Sequence, residues 1–127
     1  MAACQCARSV SRSVRLLRTT LVDHGAAAPL VALLREREKN LLVLALITLC
    51  NIILEFSPMK RAIMDTEGLE RIVQLSRDAD IDIRYNAVFA LGNLTAQASS
   101  DIKEKILGSM GYPGLRALLD DSDLRVQ

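Results

Sequence analysis

Apolar residues recur at helical spacing through most of the chain, separated by short polar or glycine-containing breaks. Leu115 and Leu118, for example, lie three residues apart, which is the spacing of a helix with one buried side. The longest apolar stretch, residues 41–54, is interrupted only by Thr48 and Asn51. A membrane-spanning helix needs about 20 apolar residues, so this shorter stretch predicts a helix that is buried nearly all round.

The glycines show that this pattern repeats along the chain. Gly25, Gly68 and Gly111 follow one another at intervals of 43 residues. A Leu-x-Asn motif, ending at Asn51 and again at Asn93, repeats at an interval of 42. Because two separate features recur with nearly the same period and lie in similar apolar surroundings, they indicate a structural repeat.

Each repeat is predicted to contain three helices. A short first helix ends at one of the glycines, since glycine can adopt the left-handed conformation that closes a helix. The third helix is the longest and most apolar. The predicted ranges are 14–24, 58–67 and 101–110 for the first helix, 29–37, 69–77 and 113–119 for the second, and 40–54 and 83–95 for the third.

Polar residues mark where the helices begin. Ser57 is predicted to cap the helix that Pro58 opens, because the missing N–H of proline costs nothing there. Asp78 and Asp80 precede one third helix, and residues 120–123 contain three further aspartates. Carboxylates accept bonds from the free N–H groups at a helix start and favour its dipole. Capping explains every acid of these loops, so we predict neither a metal site nor a cofactor.

Helical triplets with a period near 42 are typical of armadillo repeats, although HEAT repeats overlap this period and are the nearest alternative. The sequence therefore predicts an all-α, right-handed armadillo-type superhelical solenoid of about two and a half to three repeats. It forms one domain over residues 1–127, made of the units 1–13 (partial), 14–55, 56–97 and 98–127 (partial). Because units are cut at both ends, we expect a fragment of a longer solenoid.

Composition narrows the possible functions. The chain has 16 basic and 15 acidic residues, a balance that gives no general attraction to nucleic acid or to anionic membranes. It has no Trp, two Phe and two Tyr, too few for the aromatic surfaces that bind single-stranded nucleic acid. There is no Gly-rich phosphate loop and no Gly-x-Ser-x-Gly motif, and His24 is the only histidine. We therefore predict that the protein is not an enzyme.

The cysteines and the first residues bear on the cell compartment. The chain has three cysteines, an odd number, which favours small buried thiols in a reducing compartment over a disulfide framework. The first 22 residues contain four arginines and no acid, a composition that is also typical of a mitochondrial transit peptide. The predicted repeat also gives these residues a place, in the partial unit 1–13 and the following first helix. Import into mitochondria stays the alternative to this interpretation.

The third helices carry the candidate partner-binding residues, because the concave side of a solenoid is its usual binding face. An unpaired buried amide costs about 1–3 kcal/mol, so Asn51 and Asn93 are more easily explained if they face a groove. Their donor and acceptor groups suit an extended peptide backbone. The alternative is that both asparagines only tie adjacent helices together.

Four further residues join this candidate surface. Asn86 and Phe89 share one side of a helix with Asn93, because they lie three and four residues apart. Thr48 is placed beside Asn51 on the same side of the preceding third helix. Arg84 lies a turn before Phe89 and is a candidate contact for an acidic partner.

Residues 50–60 read Cys-Asn-Ile-Ile-Leu-Glu-Phe-Ser-Pro-Met-Lys. This stretch resembles a segment of the armadillo scaffold subunit of the GID/CTLH ubiquitin ligase, the armadillo repeat-containing protein 8-like family. Residues 12–23 and 86–94 are similar to the same family. The resemblance implies a non-catalytic adaptor whose partners are other ligase subunits and the substrate receptor, while RING subunits elsewhere transfer ubiquitin. It also implies a cytoplasmic and nuclear location.

A general armadillo groove that binds peptide cargo, as in nuclear import adaptors, is the alternative function. Such grooves commonly repeat a Trp four residues before the Asn. The corresponding positions here hold Ile47 and Phe89, which makes this alternative the less favoured one.

Overall fold

The computed structural model of the protein describes residues 1–11, 20–21, 23–53 and 58–127. Within these ranges the secondary structure is entirely helical, as predicted. The helices are α1 (Ala2–Ser11), α2 (Ala27–Leu33), α3 (Lys39–Ile52), α4 (Met59–Met64), α5 (Gly68–Leu75), α6 (Ile81–Thr95) and α7 (Ser100–Leu119).

The third helices form a continuous row. α1 packs against α3, and α3 packs against α6, so α1, within the predicted partial unit 1–13, takes the place of a third helix in this row. The second helices α2 and α5 lie against α3 and α6 respectively, while α4 contacts both second helices. α7 packs against α5 and α6. This is the arrangement of stacked helical triplets.

The core runs through the middle of this stack and is centred on α3. Leu46, Leu49 and Ile52 of α3 have no exposed surface, and Leu94 of α6 is equally buried. The prediction that residues 41–54 form a helix buried nearly all round is confirmed for its described part. None of the helices formed by the described residues is both long and apolar enough to cross a membrane.

Two of the three repeated glycines have the predicted left-handed backbone. Gly25 has φ 74° and Gly111 has φ 70°. The same prediction is wrong for Gly68, which opens α5 without a positive φ. A Cβ atom at Gly68 would lie 3.1 Å from Thr66 Oγ1 and 3.2 Å from Val31 Cγ2. Close approach of neighbouring helices, and not backbone conformation, therefore explains a glycine there.

The helix bounds differ from the predicted ones mainly at helix ends. α7 contains the predicted helices 101–110 and 113–119, which meet at a kink where Gly111 has ψ 160°. α2 ends at Leu33 and not at Arg37, because the N–H groups of residues 34–36 bond three residues back and tighten the last turn. Most of the predicted helix 14–24, the predicted cap Ser57 and residues 54–57 of the resemblance lie outside the described residues.

The structure describes only some of the predicted boundaries between repeats. The boundary between residues 97 and 98 falls in the link between α6 and α7. The boundaries between 13 and 14 and between 55 and 56 touch residues outside the described ranges. The division stays a prediction.

Asp80, the residue directly before α6, caps that helix as predicted. Asp80 Oδ1 accepts bonds from the backbone N–H groups of Asp82 (3.0 Å) and Ile83 (3.4 Å). Asp123 Oδ1 accepts one from Arg125 N at 2.9 Å. The Asp80 cap satisfies donors that have no partner within α6, whereas the Asp123 bond lies within the turn formed by residues 124–126.

Equivalent hydrogen bonds recur in the two acidic loops at an interval of 43 residues. Arg84 donates to Asp78 O at 2.8 Å, six residues before it, and Gln127 donates to Asp121 O at 2.6 Å, again six residues before it. Gln127 is therefore the structural equivalent of Arg84.

Basic side chains cap the C-terminal ends of helices elsewhere in the stack. The last carbonyls of a helix lack partners within it, and a cation there is favoured by the helix dipole. Three such bonds join neighbouring units: Arg71 to Leu34 O (2.8 Å), Arg77 to Met110 O (2.7 Å) and Lys105 to Met64 O. A fourth, from Lys60 to Ala96 O, lies within one unit.

An ion pair of low exposure joins the last two acidic loops. Arg84 Nε lies 2.6 Å from Asp121 Oδ2, and Arg84 Nη2 lies 3.1 Å from Asp121 Oδ1. The side chains are only 15% and 10% exposed. Hydrogen bonds from Arg84 lower the pKa of the Asp121 carboxyl below its usual range, with a further contribution from Asp123 N.

We expect Asp121→Asn to destabilise the protein at pH 7 and to do so less as the solution is acidified. A carboxyl whose pKa is lower in the folded state stabilises the fold above its unfolded pKa of about 3.9, and that contribution is lost as pH falls through the folded pKa. Urea unfolding of both proteins at pH 7, 4 and 3 measures the difference. Asp120→Asn, which changes an exposed neighbour, is the control. A wild-type-to-variant difference that is the same at every pH would contradict this account.

Candidate partner-binding surface

The candidate surface lies on the exposed side of the row of third helices, and we refer to it as the third-helix face. Its described members are Asn51 on α3, and Tyr85, Asn86, Phe89 and Asn93 on α6. α3 and α6 pack side by side, so these residues form one continuous region of the molecule.

Both repeated asparagines bind the preceding third helix. Asn51 Nδ2 donates to Ser11 Oγ of α1 at 3.2 Å, and Asn93 Nδ2 donates to Cys50 O of α3 at 3.1 Å. Ser11 Oγ in turn donates to Arg8 O at 2.8 Å. The tying role is therefore observed at both positions, and contact of the same residues with a partner stays a prediction.

Asn86 adds a local bond at the same junction. Its Nδ2 donates to Asp82 O, four residues earlier, at 2.7 Å. The backbone carbonyl oxygen of Asn86 accepts a weak bond from Cys50 Sγ at 3.6 Å. Burial raises the pKa of the Cys50 thiol to about 12, so Cys50 is a packing residue with little thiolate character.

The other two cysteines are placed differently. Cys4 is buried in α1, in agreement with the prediction of small buried thiols, whereas Cys6 on the same helix is exposed. Two residues of separation turn a side chain to nearly the opposite side of a helix, and for this reason the prediction fails for Cys6. All three are free thiols.

Thr48 does not belong to the surface. It has no exposed area, and its Oγ1 donates to Leu44 O within α3 at 2.8 Å. The prediction that it lies beside Asn51 on the exposed side of α3 is wrong, because α3 is covered by α1, α2 and α6 and little of it reaches solvent.

Arg84 meets an acid, but one from its own chain. Its guanidinium is shared by Asp121 and by the carbonyls of Asp78 and Ala79. Hydrogen bonds to Asp121 are the largest reason that the pKa of Arg84 is raised. Sequence spacing could not show this contact, because Asp121 is 37 residues away.

Aromatic side chains give the third-helix face its apolar character. Phe89 is 51% exposed. Its ring stacks with that of Tyr85, with centroids 6.2 Å apart and planes at 24°. The Arg125 guanidinium lies 5.5 Å from the centroid of the Tyr85 ring, within cation–π range. Tyr85 was missed from the sequence, although its position four residues before Phe89 is the signal that places it there.

A chain of ion pairs borders this face where the third helices begin. Lys39 Nζ lies 2.7 Å from Asp80 Oδ2 and 3.0 Å from Asp82 Oδ2, and Arg125 Nη2 lies 2.9 Å from Asp123 Oδ2. The hydrogen bond to Asp80 raises the pKa of Lys39, and hydrogen bonds from the Arg125 side chain and backbone lower the pKa of Asp123 to about 2. Because these charged groups already pair with one another, we expect the apolar side chains of the third-helix face to make the more specific contacts with a partner.

The part of the chain that the structure describes holds no group of three or more His, Cys, Asp or Glu side chains positioned to bind a metal ion. The aspartates of the acidic loops point to backbone N–H groups and to basic side chains. The third-helix face can therefore contribute apolar contacts, amide hydrogen bonds and exposed ion pairs to a complex.

Comparison with known proteins shows relatives over almost the whole chain. No family model matches it. It is 40% identical over 126 residues to armadillo repeat-containing protein 8 of Xenopus laevis, a match that covers 99% of this chain and 18% of that protein. The Mus musculus protein of the same name gives 40% identity and 19% coverage. GID complex subunit 5 of Schizosaccharomyces pombe is 32% identical over 126 residues, with 16% of its length covered.

Solved structures show the same fold. A computationally designed armadillo repeat protein for modular peptide recognition superimposes with a TM-score of 0.88 over 98% of this chain and 52% of its own, at 24% identity. A designed armadillo repeat protein in complex with the peptide (KR)4 gives a TM-score of 0.89 at 23% identity, with 98% and 52% of the two chains covered. The chain is an armadillo repeat protein. Its solenoid is the armadillo type and is homologous to part of armadillo repeat-containing protein 8.

The armadillo chain spans less than a fifth of the length of these relatives. The homologous region contains the tied asparagines and the aromatic pair of the third-helix face, since the match covers 99% of the chain. The resemblance seen in residues 50–60 is therefore confirmed by sequence similarity over 99% of the chain.

Proposed function

We propose that this armadillo chain is a non-catalytic protein-binding scaffold of a GID/CTLH-type ubiquitin ligase. The observation that carries the proposal is the sequence similarity over 126 residues to both armadillo repeat-containing protein 8 and GID complex subunit 5. The partners are other ligase subunits and the substrate receptor, and the protein acts in the cytoplasm and the nucleus.

The third-helix face supports this proposal by its chemistry. Aromatic and arginine side chains are enriched at the centres of protein interfaces, where a few of them supply most of the binding energy. Phe89, stacked on Tyr85 and exposed over half its surface, is the large apolar side chain of this face. Asn93 ties α6 to α3 and Asn51 ties α3 to α1, so the face is held in place before a partner binds.

Affinity purification of the tagged protein from its native cells tests the proposal. We expect RING and CTLH-type subunits to co-purify with the wild-type chain. Phe89→Asp should lower their recovery at least about tenfold, because replacing a central aromatic contact costs about 2 kcal/mol or more of binding energy. Glu36→Lys, a charge change in the exposed loop after α2, is the matched control and should leave recovery unchanged.

Two results would count against this function. A clean eluate without ligase subunits would remove the ligase assignment, and recovery of basic peptide cargo in their place would favour the import-adaptor alternative. Recovery that Phe89→Asp leaves unchanged would remove the third-helix face from the interface. Imaging of the tagged protein in both compartments checks the proposed location.

A further inference from the structure

α7 changes direction at Gly111, where φ is 70° and ψ is 160°. Pro113 lies at the start of the second half of the helix, where its missing N–H costs nothing. In one straight helix the ring of Pro113 would clash with the carbonyl of Ser109, four residues earlier. Pro113 therefore opposes a straight α7, but it does not fix the angle between the two halves.

The side chain of Arg77 contacts both halves of α7. Arg77 lies in the turn after α5, and its Nη2 atom donates to Met110 O, the carbonyl directly before Gly111, at 2.7 Å. The same guanidinium lies against Gly114 in the second half, where an added Cβ would be 2.6 Å from Nη2 and 3.5 Å from Cζ. Because Gly114 has no side chain, the Arg77 guanidinium can extend across the kink.

The corresponding junction one unit earlier is built differently. Moved back by the 43-residue interval, Gly114 and Arg77 correspond to Arg71 and Leu34. There the arginine belongs to the later unit and donates to Leu34 O at 2.8 Å, whereas Leu34 has no side-chain donor. Residues 65–67 also separate α4 from α5. An arginine that reaches forward across a kink is therefore a feature of α7 that the junction of α4 and α5 does not share.

The preceding unit also holds the chain just after the second half of α7. Asp121, two residues beyond the end of α7, forms the ion pair of low exposure with Arg84. Residues 112–119 are thus held by Arg77 near their start and by Arg84 just after their end. The bond to Asp121 limits how far this segment can move, whereas the bond to Met110 O acts at the kink itself.

We propose that Gly111 is a hinge and that Arg77 is a strap that sets its angle and so fixes the direction of residues 112–119. The bond to Met110 O anchors the strap, and the guanidinium seated against Gly114 limits movement of the second half of α7 toward α5. Without the strap, residues 112–119 turn about Gly111 over a wider range, within the reach that the Arg84–Asp121 pair allows. This device belongs to the fold and does not depend on the proposed function.

Amide hydrogen exchange of the intact 127-residue protein tests the strap. Arg77→Leu should raise the exchange rates of residues 114–119 about fivefold, because the closed hinge loses one hydrogen bond from a charged donor. Gly114→Ala should change the rates in the same direction, since the new Cβ displaces the guanidinium from its place beside Met110 O.

Each of these variants has a matched control in the same helix. Arg116→Leu removes an arginine whose side chain is 85% exposed, and it should leave the exchange of residues 114–119 unchanged. Gly108→Ala adds a Cβ that meets nothing within 4 Å, so it should not accelerate exchange in this segment.

Exchange in α3 separates a local strap from general support of the fold. Faster exchange in residues 114–119 with unchanged exchange in residues 39–52 supports the strap. Equal acceleration of both segments by Arg77→Leu would overturn the proposal, because Arg77 would then contribute only to global stability. Exchange that Arg77→Leu leaves unchanged in residues 114–119 would overturn it as well.

A distance between spin labels measures the hinge angle directly. Labels at Lys103→Cys and Leu119→Cys, with Cys6→Ser to remove the exposed native thiol, lie on the two halves of α7. A straight helix would place their Cα atoms about 24 Å apart. We expect a single narrow distance below that value when Arg77 is present and a broader distribution with Arg77→Leu. An equally narrow distribution without Arg77 would show that the hinge needs no strap.

Discussion

Leu49→Ala is expected to lower the free energy of unfolding by about 3 kcal/mol. Leu49 has no exposed area and lies in α3, the helix that touches α1, α2 and α6. Removing its side chain deletes buried apolar surface and leaves a cavity among elements that pack on several sides and cannot easily collapse into it. Urea denaturation followed by far-UV circular dichroism measures the change.

Leu124→Ala is the matched control for this core substitution. Leu124 is 83% exposed, so the same chemical change should alter stability by no more than about 0.5 kcal/mol. If Leu49→Ala were as mild as Leu124→Ala, α3 would not be the centre of the core. A loss confined to Leu49→Ala would show that the packing around Leu49 in α3 stabilises the stack.

Gly111→Ala and Gly108→Ala are expected to change stability in opposite directions although they lie in one helix. Gly111 has φ 70° and ψ 160°, a conformation that side-chain-bearing residues rarely adopt, so alanine there should destabilise the protein by about 1–3 kcal/mol. Gly108 lies within the helical part of α7, and an added Cβ meets nothing within 4 Å. Alanine there should stabilise by up to about 1 kcal/mol, because glycine loses more conformational freedom on folding.

Thermal unfolding of the two variants beside the wild type measures both signs at once. A stabilising Gly111→Ala would mean that the two halves of α7 can join as one straight helix. The kink at Gly111 sets the direction of residues 112–119 relative to the first half of α7.

The sequence was sufficient to predict the all-helical architecture and the armadillo fold. These features depend on local properties, namely apolar spacing, capping aspartates and a period that two independent motifs share. The conformation of Gly68 could not be predicted in the same way. Side chains from α2 and from the preceding turn approach this glycine closely, and such contacts become visible only when helices are assembled.

The candidate surface was predicted less completely, for a related reason. Helical spacing places Asn86, Phe89 and Asn93 on one side of α6, and the structure agrees. Spacing does not show how much of a helix its neighbours cover, so Thr48 was assigned to the surface although it is buried. Helical spacing also does not show which distant acidic side chain a basic residue will bind. Arg84 was therefore predicted to contact an acidic partner, although it binds Asp121 of its own chain.

The basic caps that join one unit to the next have a consequence for how the protein comes apart. In a stack of repeats, stability divides into what each unit supplies alone and what the contact between neighbours supplies. Arg71, Arg77 and Lys105 each bond to the helix end of an adjacent unit, so opening one unit strips a partner from the next and leaves polar groups unsatisfied there. The neighbour contribution is thereby enlarged, and fraying from either end is suppressed in favour of a single cooperative transition.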